Sequence, residues 1–368
     1  MLEEYFTPIS NELEYRTHEL GSVIEKHISL FPNITDKKIA IIGVCPKEKV
    51  QEYDKIRSEF YSLVTHTGLG TSVIDLGNII EGDSPSDNQF ALKNATTHLL
   101  KNNVLPILIG RHIDQGEAMY QGYETIKHNV NLSLISSHLP MLEYQVLHRI
   151  CSHQPNFLQN INAIGFQAHY CPPKALDTLE NLNFGHLRLG KIKTDIEEVE
   201  LHLRHSDITL FDINSIKHSN APGKNQAQPN GLTGEEACQI TRYAGLSDTS
   251  SSIGFFGYDA TRDEHSLTAK LIAQLMWYYI DGYTNRKEDT PELHSEFVKY
   301  RCDIEENQPP ILFLKSKRTS RWWMQIEHPA DPTAEHHTLT FPCSYMDYQY
   351  AAAGELPERY LSAVKQLV

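Results

Sequence analysis

Residues 104–114, VLPILIGRHID, run from an apolar, β-branched segment straight into a glycine, two basic side chains and an acid. A short apolar run without polar alternation is the pattern of a strand covered on both faces, as in a parallel sheet packed between helices. The polar residues at its carboxyl end stand where open parallel sheets bind ligands. Two more runs end the same way. Residues 131–136 (NLSLIS) lead into Ser136-Ser137-His138-Leu139-Pro140, and residues 207–212 (DITLFD) lead into Asp212-Ile213-Asn214-Ser215-Ile216.

Working outward, similar runs lie at 38–44, 72–76, 161–166, 186–189 and 251–256. Helical periodicity is expected between the runs, over 47–66, 88–102, 115–127, 141–151, 173–181, 195–205, 233–246 and 264–285. Eight strands alternating with helices give an α/β fold, a three-layer doubly wound parallel sheet, with a closed barrel as the alternative. The helix at 233–246 opens on Thr233 with Glu236 three residues on, a capping-box spacing. The pattern changes after Arg286. Residues 297–343 read as short strands and 356–367 as a terminal helix, so the expected organisation is a main domain at 1–286 and a small β-rich appendage at 287–368. Within it, Arg321-Trp322-Trp323-Met324 reads as a cluster packed on the main domain or, if exposed, as a protein contact.

The chain has 40% hydrophobic residues and a formal charge of −14 from 33 basic and 47 acidic side chains. That balance argues against nucleic acid and against an anionic membrane surface as partners. No run approaches 18 apolar residues, and the amino-terminal segment is acidic where a secretory signal would be basic, so no membrane insertion and a cytoplasmic location are expected. Six scattered cysteines without a C-x-x-C spacing read as reduced thiols. No nucleophile elbow, P-loop or dinucleotide fingerprint is present.

The stretches IGRH (109–112), SSHLP (136–140), LFDIN (210–214), NGLTGEE (230–236) and FGYDATRDEHSLTAKLIAQL (256–275) fall in order at the ends of the expected elements. In this they resemble the ureohydrolases, the arginase, agmatinase and formimidoylglutamase family, over residues 38–285. IIGVCP (41–46) and VIDLGNI (73–79) resemble that family's first two strands. The resemblance implies trimers or hexamers of a binuclear manganese hydrolase, with two histidines and four aspartates holding the ions and a shared hydroxide. The histidines carry over to His112 and His138, and one aspartate to Asp212. The other three positions hold Ser136, Pro140 and Asn214.

Two dications held close together need several carboxylates to offset their repulsion, and serine, proline and asparagine bring no charge. The expectation is therefore a degenerate metal site, no cofactor, and a pseudoenzyme acting as a binding or scaffold protein, with 287–368 as the surface for a protein partner. The alternative is a hydrolase of linear amidino or formimino C–N bonds. It would use one divalent metal, manganese or zinc, on His112, His138 and Asp212, with Asp212 and Glu236 as catalytic residues. Each residue also has a plainer reading. His112 could pair with Asp114 or Arg111 in a solvated cleft, His138 with its neighbouring serines, Asp212 with loop N–H groups, and Glu236 with its own helix start.

Overall fold

The run Ile39–Cys45 is buried at every position, as are Leu105–Gly110 and Ser252–Phe256, so these strands have helices on both sides. A computed structural model of the chain describes residues 2–10, 13–65, 72–82, 84–291, 296–304, 310–327 and 338–365. In chain order the main sheet and its helices are β1 (Glu25–Lys26), β2 (Ile39–Cys45), α1 (Val50–Tyr61), β3 (Val73–Ile80), α2 (Pro85–Lys101), β4 (Leu105–Gly110), α3 (Gln115–Gln121) and β5 (Val130–Ile135). There follow α4 (Val146–Ser152), β6 (Leu158–Phe166), α5 (Pro173–Asn181), β7 (Gly185–Arg188), α6 (Leu189–Thr194), α7 (Glu197–Leu203), β8 (Ile208–Asp212), α8 (Gly234–Leu246), β9 (Ser252–Phe256) and α9 (Leu267–Thr284). The tail adds β10 (Phe297–Cys302), β11 (Ile311–Ser316), β12 (Trp322–Glu327), β13 (Thr338–Cys343), α10 (Tyr345–Ala352) and α11 (Glu358–Lys365).

The nine strands lie in the order β1-β3-β2-β4-β9-β8-β5-β6-β7 and pair in parallel throughout. Alternate side chains of each strand leave on opposite faces. Ile39, Ile41 and Cys45 join one apolar core with α1, α8 and α9. Ala40, Ile42 and Val44 join the other with α2, α3, α4 and α5. The sheet is therefore open and three-layered. It has one strand more than the eight expected, because the two-residue β1 is too short to show a period. The helix α6 was also not anticipated, since it follows β7 with no intervening turn. Near the edge formed by β1 and β3, Arg57 is fully buried and donates to Asp75 at 2.8 Å, Asn78 at 2.8 Å and the Gly77 carbonyl at 2.9 Å, while the Tyr61 hydroxyl donates to Asp75 at 2.6 Å.

The tail forms a separate antiparallel sheet in the order β10-β11-β12-β13. Trp322 and Trp323 are buried, which settles the aromatic cluster as packing. Arg204, just past α7, donates to the Trp322 carbonyl at 2.6 Å and to Glu200 at 2.5 and 3.1 Å, and lies 4.7 Å from the Trp323 ring. Glu200 also pairs with Arg321 at 3.1 Å. The helix α10 was not expected, although its Ser344-x-x-Asp347 capping box marks it. Position 66 of the expected first helix, positions 328 and 337 flanking the tail strands and positions 366–367 of the terminal helix lie outside the described residues. Among the described residues no helix is long and apolar enough to cross a membrane.

Two predictions follow from this contact between α7 and the tail. Arg204→Ala removes a buried charge that answers both Glu200 and a strand carbonyl, so it should cost about 3 kcal/mol in urea unfolding. The His205 imidazole is pushed down to about 4 by burial, with Arg204 adding to the effect, and its ring lies 5.2 Å from Trp323. It stays neutral in the fold and takes a proton more readily in the unfolded chain, so stability falls as pH drops from the ordinary histidine range near about 6.5 toward 4. The His205→Gln variant should lose less of its melting midpoint than the wild type between about pH 7 and pH 5.

Candidate functional site

β5 continues to β6 and β7 on one side, whereas β8 continues to β9 on the other. The crevice between β5 and β8 is thus a topological switch point, where open sheets of this kind bind ligands beyond the strand carboxyl ends. Ile135 is paired with Phe211 at the end of this ladder, which sets Ser136 opposite Asp212.

The Ser136 hydroxyl donates to Asp212 Oδ2 at 3.1 Å. Asp212 Oδ1 accepts the Asn214 backbone N–H and its side-chain Nδ2–H, both at 2.9 Å. Two of the three positions at which the resemblance implies further aspartates therefore carry donors aimed at Asp212. The third, Pro140, offers only its backbone carbonyl, which accepts from Leu147 N–H at 3.0 Å. Burial raises the Asp212 carboxyl above its usual range, against the pull of Asn214, Ser136 and His138. Gly257 makes this arrangement possible: its φ is +96°, and a Cβ there would stand 2.8 Å from Asn214 Nδ2 and 3.1 Å from Asp212 Oδ1.

His138 is half-buried; its Nδ1 lies 2.9 Å from the Ser137 hydroxyl, and its ring stacks on Tyr170 with centroids 4.8 Å apart. Burial lowers its pKa, Asp212 opposes the shift and His169 adds to it. His112 is exposed at the end of β4. Its backbone N–H donates to Gln115 Oε1 at 3.3 Å. β9 lies between β4 and β8, so two strand spacings of about 4.8 Å each separate the two strand ends. Glu236 accepts Thr233 N–H at 2.7 Å, closing the capping box, and Lys193 Nζ at 2.5 Å. Burial acts to raise the Glu236 carboxyl, but Lys193 and Thr233 outweigh it and hold it below the usual range.

Asp212 and His138 thus share one crevice, while His112 follows β4 and Glu236 lies at the start of α8, paired with Lys193 and its own helix cap. Among the described residues, no group of three or more His, Cys, Asp or Glu side chains is placed to hold a metal ion. A carboxylate has about four lone-pair positions, and here three already accept protein donors. That donor set does not fit a pair of bridged dications. Sequence reasoning missed Lys224. It is fully buried in the loop after β8, and its ammonium donates to the carbonyls of Asn214, at 3.4 Å, and Ile216. Burial pushes it down to about 8, with Asp212 pulling the other way. No motif marks this lysine, because the turn that encloses it forms only when β8 and the loop pack together.

The fold is that of the arginase and ureohydrolase family. A formimidoylglutamase from Bacillus subtilis subsp. subtilis str. 168 superposes with a TM-score of 0.64 at 15% identity, covering 77% of this chain and 97% of that one. Trypanosoma cruzi formiminoglutamase with Mn2+ gives 0.60 at 17% identity, covering 73% and 99%. Bacillus cereus arginase gives 0.57 at 16% identity, covering 66% and 98%. No protein-family model matches the chain, and no curated protein matches it in sequence.

Removing the Ser136 hydroxyl leaves a buried carboxylate short of one donor. Ser136→Ala should therefore cost about 1.5–3 kcal/mol in urea unfolding, and an unchanged midpoint would show that this hydrogen bond carries little.

Proposed function

We propose that this chain keeps a ureohydrolase-like scaffold without binuclear manganese hydrolysis and works as a binding or scaffold protein. The observation that carries the reading is the Asp212 carboxylate, which accepts hydrogen bonds from Ser136 and Asn214 where the family resemblance implies further metal-binding aspartates. A metal ligand must point lone pairs at the ion; these two side chains point hydrogens at Asp212 instead. The reading is also supported by the described residues, among which His112, His138 and Asp212 are not grouped as a set that could hold a metal ion.

The similar proteins from Trypanosoma cruzi and Bacillus subtilis are formiminoglutamases, and the former is described with Mn2+. Their chemistry gives the direct test. Protein purified in manganese should hold well under one tight equivalent of the metal and should not hydrolyse arginine, agmatine or formimidoylglutamate. Uptake near two equivalents, together with turnover of any of these substrates, would overturn the reading.

A further inference from the structure

Lys224 is the one lysine that is fully buried among the described residues. Its backbone N–H donates to the Pro222 carbonyl at 2.8 Å, and its backbone forms an antiparallel bridge with Tyr258, just past β9. The ammonium donates to the Asn214 and Ile216 carbonyls. These belong to the turn that Asp212 opens, whose Asn214 N–H and amide bind the Asp212 carboxylate. One short turn therefore holds an anion on its N–H side and a cation on its carbonyl side. Burying an ammonium is costly unless its donors are satisfied and an opposite charge stands close by. Two carbonyls accept two of the three ammonium N–H groups, and the Asp212 carboxylate stands at the head of the same turn.

We propose that Lys224 is a built-in cation, answering the Asp212 charge in the crevice where the family resemblance implies metal ions. The proposal rests on the metal-free reading above and deepens it by identifying what answers the carboxylate. Lys224 acts as a positioning residue: it ties its own loop to the carbonyls of the turn that Asp212 opens and sets a positive charge beside that turn. Glu236 is paired directly with Lys193 at 2.5 Å. With Asp212 already accepting from Ser136 and Asn214 and a lysine under its turn, the ligand class that suits the crevice is neutral or anionic, and guanidinium and amidinium cations are disfavoured.

The test is a double-mutant cycle on the full chain, using Lys224→Met, Asp212→Asn and the pair together, read as melting midpoints. Each single change strands a buried charge and should lower the midpoint by roughly 5 °C or more. The double variant removes both charges and should recover at least half of the larger loss. A lysine serving only as a donor to two carbonyls would give additive losses, and additivity overturns the proposal. Should Lys224→Met fail to fold, a folded double variant still supports the pairing, and a double variant that also fails overturns it. Uptake of near two equivalents of manganese with turnover by the wild type would sink the metal-free reading on its own, whereas additive midpoints would sink only the role of Lys224.

Discussion

A carboxylate withdrawn from water has to have its charge answered, and at the end of β8 the answer comes from the protein. Ser136 reaches Asp212 from the neighbouring strand, Asn214 reaches it from the turn that follows, and Lys224 lies beneath the same turn. Neutral donors can satisfy a buried carboxylate because each supplies directed hydrogen-bond energy without adding charge. The arrangement keeps the β5–β8 crevice of the fold and its loop, but gives the carboxylate a structural occupation. A carboxylate satisfied in this way is stable in the fold on hydrogen bonds from the chain's own side chains and backbone.

Most of the main sheet could be read from residue order, because strands buried on both faces carry long apolar runs and every one of the eight expected has a counterpart. The additional strand β1 and the helix α6 escaped, the first for its length and the second for want of a preceding turn. The crevice was half legible. The positions of Ser136, His138, Asp212 and Asn214 followed from where each strand ends, but nothing in the sequence could say that Ser136 and Asn214 aim their hydrogens at Asp212. That depends on the register of β5 against β8. Lys224 was invisible for a related reason: a lysine in a polar loop reads as solvated until the loop folds over it.

The tail illustrates how charge and aromatic packing divide labour. Glu200 is shared by Arg204 and Arg321, which ties α7 to the segment entering β12, while Trp323 fills the space under the Arg204 guanidinium. The Arg204 fork gives this contact direction, and the indole gives it buried area. On the far side of the contact, α11 adds Arg359 against Glu198 at 2.6 Å, so the four-stranded sheet and the terminal helix meet the same short helix of the main fold.

The left-handed backbone at Gly257 bears on what the crevice can accommodate. Any side chain at that position would press into the space that the Asn214 amide and the Asp212 carboxylate share. A larger residue at 257 would have to push the Asn214 amide aside and hold a left-handed backbone at a cost. The crevice is thus shaped by an atom the backbone omits as well as by the side chains that meet there.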